Sequence, residues 1–186
     1  MSAPAKYISL RIELLHIKPL IWRRLQVPAS LTLPDLHLAM QGAMGWTDSH
    51  LHQFEIDGKS YSEPDPYDEV EIIPENGKKL STVLGKGVSE FIYQYDFGDN
   101  WQHRVVVEQT QKAHPAWSGP LCVAGERACP PEDVGGIYGY EAFLEAIADP
   151  QHEEYVHLLR WAGGIFDPEG FDINSANERI AILLER

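Results

Sequence analysis

Between Phe91 and Val107 the sequence FIYQYDFGDNWQHRVVV gathers Asp96, Asp99, Trp101, His103 and Arg104. A carboxylate near an imidazole can move a proton or hold a divalent ion, and an indole beside them can wall a pocket. Upstream, His50 and His52 stand two residues apart, a spacing that turns both imidazoles to one face of a strand, where they could ligate one ion. Downstream, Cys122 and Cys129 have six residues between them, wider than a zinc knuckle, so a thiolate site would need His50, His52 or His103 as further ligands. Glu132 and Asp133 follow as carboxylates that could bind or could lock a loop, while Trp22, Arg24 and Trp46 are aromatic and cationic groups suited to holding a partner. Each has a plainer reading: the indoles as core, the histidines as hydrogen-bonded neighbours of aromatic rings, the thiols as buried or redox-labile groups.

The elements that position these groups follow from periodicity. Tyr7 to Ile17 and Ile21 to Val27 alternate like two paired strands with one face on a core. Thr32, Pro34 and Asp35 read as the start of a helix that buries Leu33, Leu36, Met40 and Met44 and ends by Gly45, with His37 beside that stripe as a hydrogen-bonded, half-buried residue. His50 to Ile56 reads as a strand, Asp57-Gly58 as a two-residue hairpin turn, Val70 to Ile73 as a short strand and Leu80 to Leu84 as one helical turn. The hairpin over 91–107 admits two registers. A two-residue Asp99-Asn100 loop sets Asp96 opposite His103; a three-residue Gly98-Asp99-Asn100 loop sets Tyr95 opposite His103.

Gln111 to Gly136, rich in proline and glycine, reads as a long loop, functional or held by specific contacts. A helix follows Gly139 with Tyr140, Phe143, Leu144 and Ile147 inward; a second is expected from Asp149-Pro150, burying Tyr155, Leu158 and Leu159; a third presents Ala176, Ile180, Leu183 and Leu184. Strands first and helices last predict an α+β fold: a mixed or antiparallel sheet built from hairpins, with an early helix and a C-terminal helical third packed on it. Residues 1–186 are expected to form a single domain.

Fifteen Lys and Arg against 28 Asp and Glu give a net charge of −13, which argues against non-specific binding to nucleic acid. Arg11, Lys18, Arg23 and Arg24 are a local basic cluster that reads as solvated strand charge. There is no apolar run of membrane-spanning length, and the first residues lack signal-peptide character, so a cytoplasmic location is expected. Two cysteines do not make a disulfide framework.

Glycine-rich phosphate loops, dinucleotide fingerprints, HExxH and nucleophile elbows are all absent from the sequence. Four motifs carry a resemblance: Pro19-Leu20-Ile21-Trp22-Arg23-Arg24; Met44-Gly45-Trp46 with His50-Leu51-His52; Tyr95-Asp96-Phe97-Gly98-Asp99 with Trp101 and His103; and Cys129-Pro130-Pro131-Glu132-Asp133-Val134-Gly135-Gly136. Phe166-Asp167-Pro168 and Phe171-Asp172 with Asn177 also fit. Together they resemble the plasmid ORF-3-like family named after the root-inducing plasmid, over nearly the whole chain. The resemblance implies an α+β domain of bacteria and archaea, often beside mobile elements, with no established activity. Some members are labelled transposon resolvases, but the serine, arginine cluster and basic helix-turn-helix of a serine resolvase are missing.

Two functional expectations result. The leading one is a non-enzymatic module whose surface of Trp22, Arg24, Trp46, His50, His52, Asp96, Asp99, Trp101, His103, Arg104, Glu132 and Asp133 holds a protein or small ligand. The alternative is a metal-assisted hydrolytic or nucleic-acid-processing enzyme with His50, His52, Asp96 and His103 around a divalent ion such as zinc, and the cysteine-containing loop as lid or ligand source.

Overall fold

The alternation of Ile8, Leu10, Ile12 and Leu14 with Ser9, Arg11 and Glu13 produces strand β1 (Lys6–Leu14), and the next alternating run forms β2 (Trp22–Pro28), paired antiparallel to it. The computed structural model describes residues 6–64, 71–85, 87–112 and 119–185. Helix α1 (Leu33–Met44) starts where expected: Thr32 Oγ1 accepts from the Asp35 amide, and Gly45 closes the helix in the left-handed region at φ 103°. Then come β3 (His52–Ile56) and β4 (Lys59–Ser62), joined by the predicted Asp57-Gly58 turn with both residues at positive φ. Strand β5 (Ile72–Pro74) and the single turn α2 (Leu80–Val83) follow; Val70, expected to open that strand, lies outside the described residues.

Strands β6 (Glu90–Tyr95), β7 (Trp101–Lys112) and β8 (Leu121–Glu126) complete an eight-stranded mixed sheet of order β5-β4-β3-β6-β7-β1-β2-β8, in which only β4 and β5 pair in parallel. Helices α3 (Gly136–Ala148), α4 (Tyr155–Trp161) and α5 (Ile173–Leu184) end the chain, so the α+β class is observed.

The structure differs from the sequence reading at several places. Neither expected hairpin register occurs: Tyr95 pairs with Trp101 and Tyr93 with His103, leaving Asp96 to Asn100 as the loop. The cause is Asp96, at φ 55°, whose Oδ1 accepts from the amides of Gly98 and Asp99 while its carbonyl accepts from Asn100. The long loop over 111–136 contains β8, paired with β2; Asn177 of α5 bonds both the amide and the carbonyl of Cys122 and holds that edge strand in place. The second C-terminal helix begins at Tyr155, because Asp149 Oδ1 and His152 Nδ1 accept from the amides of Gln151 and Glu154 and spend residues 149–154 in turns. Its Tyr155, Leu158 and Leu159 are half-buried, and α3 starts ahead of Gly139, at Gly136.

One sheet face carries the core. Register puts Leu10, Leu25, Val105, Phe91, Tyr93, Tyr95 and Phe54 on it, beneath α1 and α5. Helices α1 and α5 cross at Gly42, where a Cβ would lie 2.6 Å from the Ile180 nitrogen. The other face is polar and self-paired: Arg24 grips Glu108 through two nitrogens, Arg104 bonds Glu90, Arg11 bonds Glu13, and Trp22 lies under both Arg11 and Arg24. Two members of the basic cluster are thus paired with carboxylates, Arg24 with Glu108 across the sheet and Arg11 with Glu13 along its own strand.

Arg23 points the other way, into the core, at 2% exposure. Its guanidinium donates to the carbonyls of Ala43, Trp22, Glu126 and Arg127 and stacks on Phe171 at 4.2 Å. Arg23→Met would leave several of those carbonyls unpaired at about 1–3 kcal/mol each. The variant is expected to unfold in urea with a loss of at least about 3 kcal/mol; a loss below about 1 kcal/mol would show that water replaces the guanidinium.

Candidate functional site

Three chain segments meet where β3 begins and β6 ends. The loop after α1 brings His50, the hairpin loop brings Asp96, and the Pro130–Gly136 run ahead of α3 brings Asp133. His50 Nε2 stands 3.0 Å from Asp133 Oδ1 and 3.6 Å from Asp96 Oδ2, and one ligand atom from each residue falls within 4.8 Å of the others. Asp96 is buried, His50 half-buried and Asp133 exposed. His50 Nε2 is shielded from solvent and yet makes no hydrogen bond, because the nearby Asp133 oxygen lies off the line of a ring N–H. Ligands about 2.1 Å from a common ion stand about 3.0 Å apart at a right angle and about 3.4 Å apart at the tetrahedral angle, so both separations suit shared coordination.

Local structure holds each member in place. Asp96 Oδ1 is taken by the Gly98 and Asp99 amides, which leaves Oδ2 turned to His50. The His50 ring stands edge-on to Tyr95 at 5.9 Å. Asp96 and Asp133 both occupy the left-handed region, at φ 55° and 59°, a cost that non-glycine residues meet most often at functional sites.

The remaining motif residues fasten the Pro130–Gly136 run to this place. Trp46 Nε1 donates to the Pro130 carbonyl at 2.9 Å, and the Gly135 amide donates to Asp99 Oδ2 at 3.1 Å. The Tyr95 hydroxyl and the Thr47 hydroxyl both donate to Glu132, and burial with that carboxylate pushes the Tyr95 phenol well up. Gly139 is packed so closely on Val134 that a Cβ would sit 1.9 Å from its carbonyl oxygen. Glu132, Asp99 and Trp46 thus position the loop, and Asp133 next to them is left free to face His50.

His52 does not join the triad. It stacks face to face on His37, ring centroids 3.6 Å apart, and its Nε2 meets Glu75 at 3.0 Å. His37 belongs to a closed ring of bonds. Gln41 donates to the Tyr93 hydroxyl, that hydroxyl donates to His37 Nδ1, His37 Nε2 donates to Asp48, and the Asp48 amide returns to Gln41. Burial and the adjacent His52 lower His37 to about 4, so it is neutral. The ring anchors the turn that delivers His50.

The other candidates are dispersed. His103 is fully buried, with Nδ1 on the Tyr93 carbonyl and Trp46 edge-on at 5.4 Å. Trp101 is core, and Trp22, Arg24 and Arg104 lie on the opposite, polar sheet face. Cys122 and Cys129 are free thiols near Arg23; burial pushes Cys129 up to about 12, and neither belongs to a cluster of three or more ligating groups among the described residues. His37 is hydrogen-bonded as expected but buried rather than half-buried, while Asp48, Tyr95 and Glu75 were not foreseen as positioning residues. The polar Thr47-Asp48-Ser49 run between Gly45 and His50 was the available signal.

The fold is that of an α+β domain with an eight-stranded mixed sheet, and sequence agreement supplies the family. The chain matches the family described as plasmid pRiA4b ORF-3-like protein over residues 6–175 and belongs to it. It is 37% identical to the uncharacterized protein y4hQ of Sinorhizobium fredii (strain NBRC 101917 / NGR234) over 178 residues, which span 95% of this chain and 91% of that protein. It is also similar to the crystal structure of MM3350, a protein of unknown function from Methanosarcina mazei Go1. The TM-score is 0.83 at 41% identity, covering 92% of this chain and 98% of the other.

Burial lowers His103 from 6.5 to about 4. Above pH 6.5 the folded and unfolded states are both neutral at this residue; as pH falls below it, only the unfolded state takes the proton, and stability drops until about pH 4. Unfolding free energies from urea titrations between pH 8 and pH 4 should therefore fall for the wild type by up to about 1.4 kcal/mol per pH unit more than for His103→Gln. Parallel curves would show that His103 titrates normally.

Proposed function

We propose that the protein is a divalent-cation-dependent ligand-binding module, with the ion held by His50 Nε2 and the carboxylates of Asp96 and Asp133. The observation that carries this reading is the solvent-shielded, unbonded His50 nitrogen facing two carboxylate oxygens. A cation placed between that nitrogen and the two oxygens would be coordinated by all three atoms. One imidazole and two carboxylates suit zinc or manganese and leave positions open for water and for an oxygen of the ligand. The two carboxylates also balance the charge of a divalent ion.

The centre differs from the grouping expected on sequence grounds. His50 and Asp96 remain, Asp133 enters, and His52 and His103 act in positioning and packing. A nucleic-acid substrate has little support, since the chain carries a net charge of −13 and the arginines of the polar sheet face are paired with glutamates.

Isothermal titration of chelator-treated protein with zinc or manganese should give one equivalent. His50→Ala and Asp96→Asn should each weaken binding by at least about tenfold, while Cys129→Ser and His103→Gln leave it unchanged. Asparagine at position 96 keeps an oxygen for the Gly98 and Asp99 amides, so a loss there reads the ligand rather than the fold. No stoichiometric uptake, or uptake undiminished in His50→Ala, would overturn the reading.

A further inference from the structure

Asp133 serves two places at once. One carboxylate oxygen faces His50, and the same residue forms part of the wall of a cleft of about 510 Å3 between the Asp133–Gly139 run, α3 and α4. The floor of that cleft is apolar: Val134, Phe143, Ala146, Leu158 and Trp161 line it, with Trp161 edge-on to Phe143 at 6.0 Å. Trp161 is 45% exposed, an unusual position for an indole unless something covers it. The volume falls in the range of small-molecule sites.

The rim is acidic. Glu145 and Glu154 join Asp133 there, with His152 and His157 beside them. An anionic group entering the cleft would meet these carboxylates, whereas an uncharged or cationic one would not. Apolar surface also flanks the other two members of the triad: Leu51 follows His50, Phe97 follows Asp96, and both are exposed.

We infer that the ligand is a bipartite small molecule: an oxygen-donor head that coordinates the ion, and an uncharged or cationic aromatic tail that lies in the α3–α4 cleft against Phe143 and Trp161. This rests on the metal-centre reading above. The head draws its affinity from the open coordination positions, and the tail draws its affinity from removing the exposed indole and its neighbours from water.

Hydroxamates separate the two parts, since acetohydroxamate offers the head alone and benzohydroxamate adds the ring. On zinc-loaded protein, benzohydroxamate should bind at least about tenfold more tightly than acetohydroxamate. 4-Carboxybenzohydroxamate should lose about tenfold relative to benzohydroxamate. Trp161→Ala should abolish the gain from the ring while leaving zinc uptake and acetohydroxamate affinity unchanged. Equal affinity for the two hydroxamates on metal-loaded protein, or a ring gain that survives Trp161→Ala, would overturn the cleft assignment and leave the metal centre standing. Failure of the protein to take up zinc at all would overturn both.

Discussion

A guanidinium with no carboxylate beside it, buried among carbonyl oxygens, is the constraint on which the remainder of this structure depends. Arg23 gathers the C-terminal turn of α1, its own strand and the exit of β8 into one point, through bonds of 2.8 to 2.9 Å to Ala43, Trp22, Glu126 and Arg127. Two of those segments lead to the site. From Ala43 the chain runs through Trp46 to His50; from Arg127 it runs through Pro130 to Asp133. A charge buried this deeply costs several kcal/mol in desolvation, and it is tolerable because each donor meets a backbone dipole that would otherwise also be orphaned.

From that point outward the site is assembled by irregular backbone rather than by helix or strand. The three facing side chains come from three loops, and each loop is fixed by uncharged or singly charged bonds made next to the facing residue: Trp46 and Thr47 before His50, Gly98 and Asp99 after Asp96, Glu132 and Gly135 around Asp133. Short side chains at positive φ and close-packed glycines are what such a knot requires. Gly136, for instance, approaches the Asp99 carbonyl so nearly that a Cβ would lie 2.7 Å from it.

This division of labour decides what the sequence could reveal. Helix α1 was legible because Thr32, Pro34, Asp35 and Gly45 are local signals at its ends, the Asp57-Gly58 turn for the same reason, and α5 from the helical spacing of Ala176, Ile180, Leu183 and Leu184. The hairpin register was not, since it turns on a left-handed Asp96 whose own carboxylate caps the loop. Strand β8 was hidden because its last determinant, Asn177, lies on a helix far along the chain. All three members of the triad stood among the candidate residues, but Asp133 was read as a loop carboxylate. Its approach to His50 is a product of tertiary structure alone. The reading of His37 as a hydrogen-bonded residue was sound, while its stacking on His52 depends on how α1 lies over β3.

Electrostatics tie these parts together. The chain carries a net charge of −13, and its fold still brings two carboxylates to an imidazole nitrogen that donates to neither. Local bonds hold these groups in place: two amides donate to Asp96 Oδ1, and the neutral His37 imidazole ties Asp48 of the adjacent turn to Tyr93. Among the described residues nothing comparable is bonded to the inner oxygens, Asp96 Oδ2 and Asp133 Oδ1. They face the His50 nitrogen at separations that two ligands of one ion adopt, and a divalent cation there would stabilise all three groups at once. Because the bonds that fix the surrounding backbone leave the His50 nitrogen and the two facing oxygens unengaged, such an ion would meet a preformed site, with little ordering cost left for it to offset.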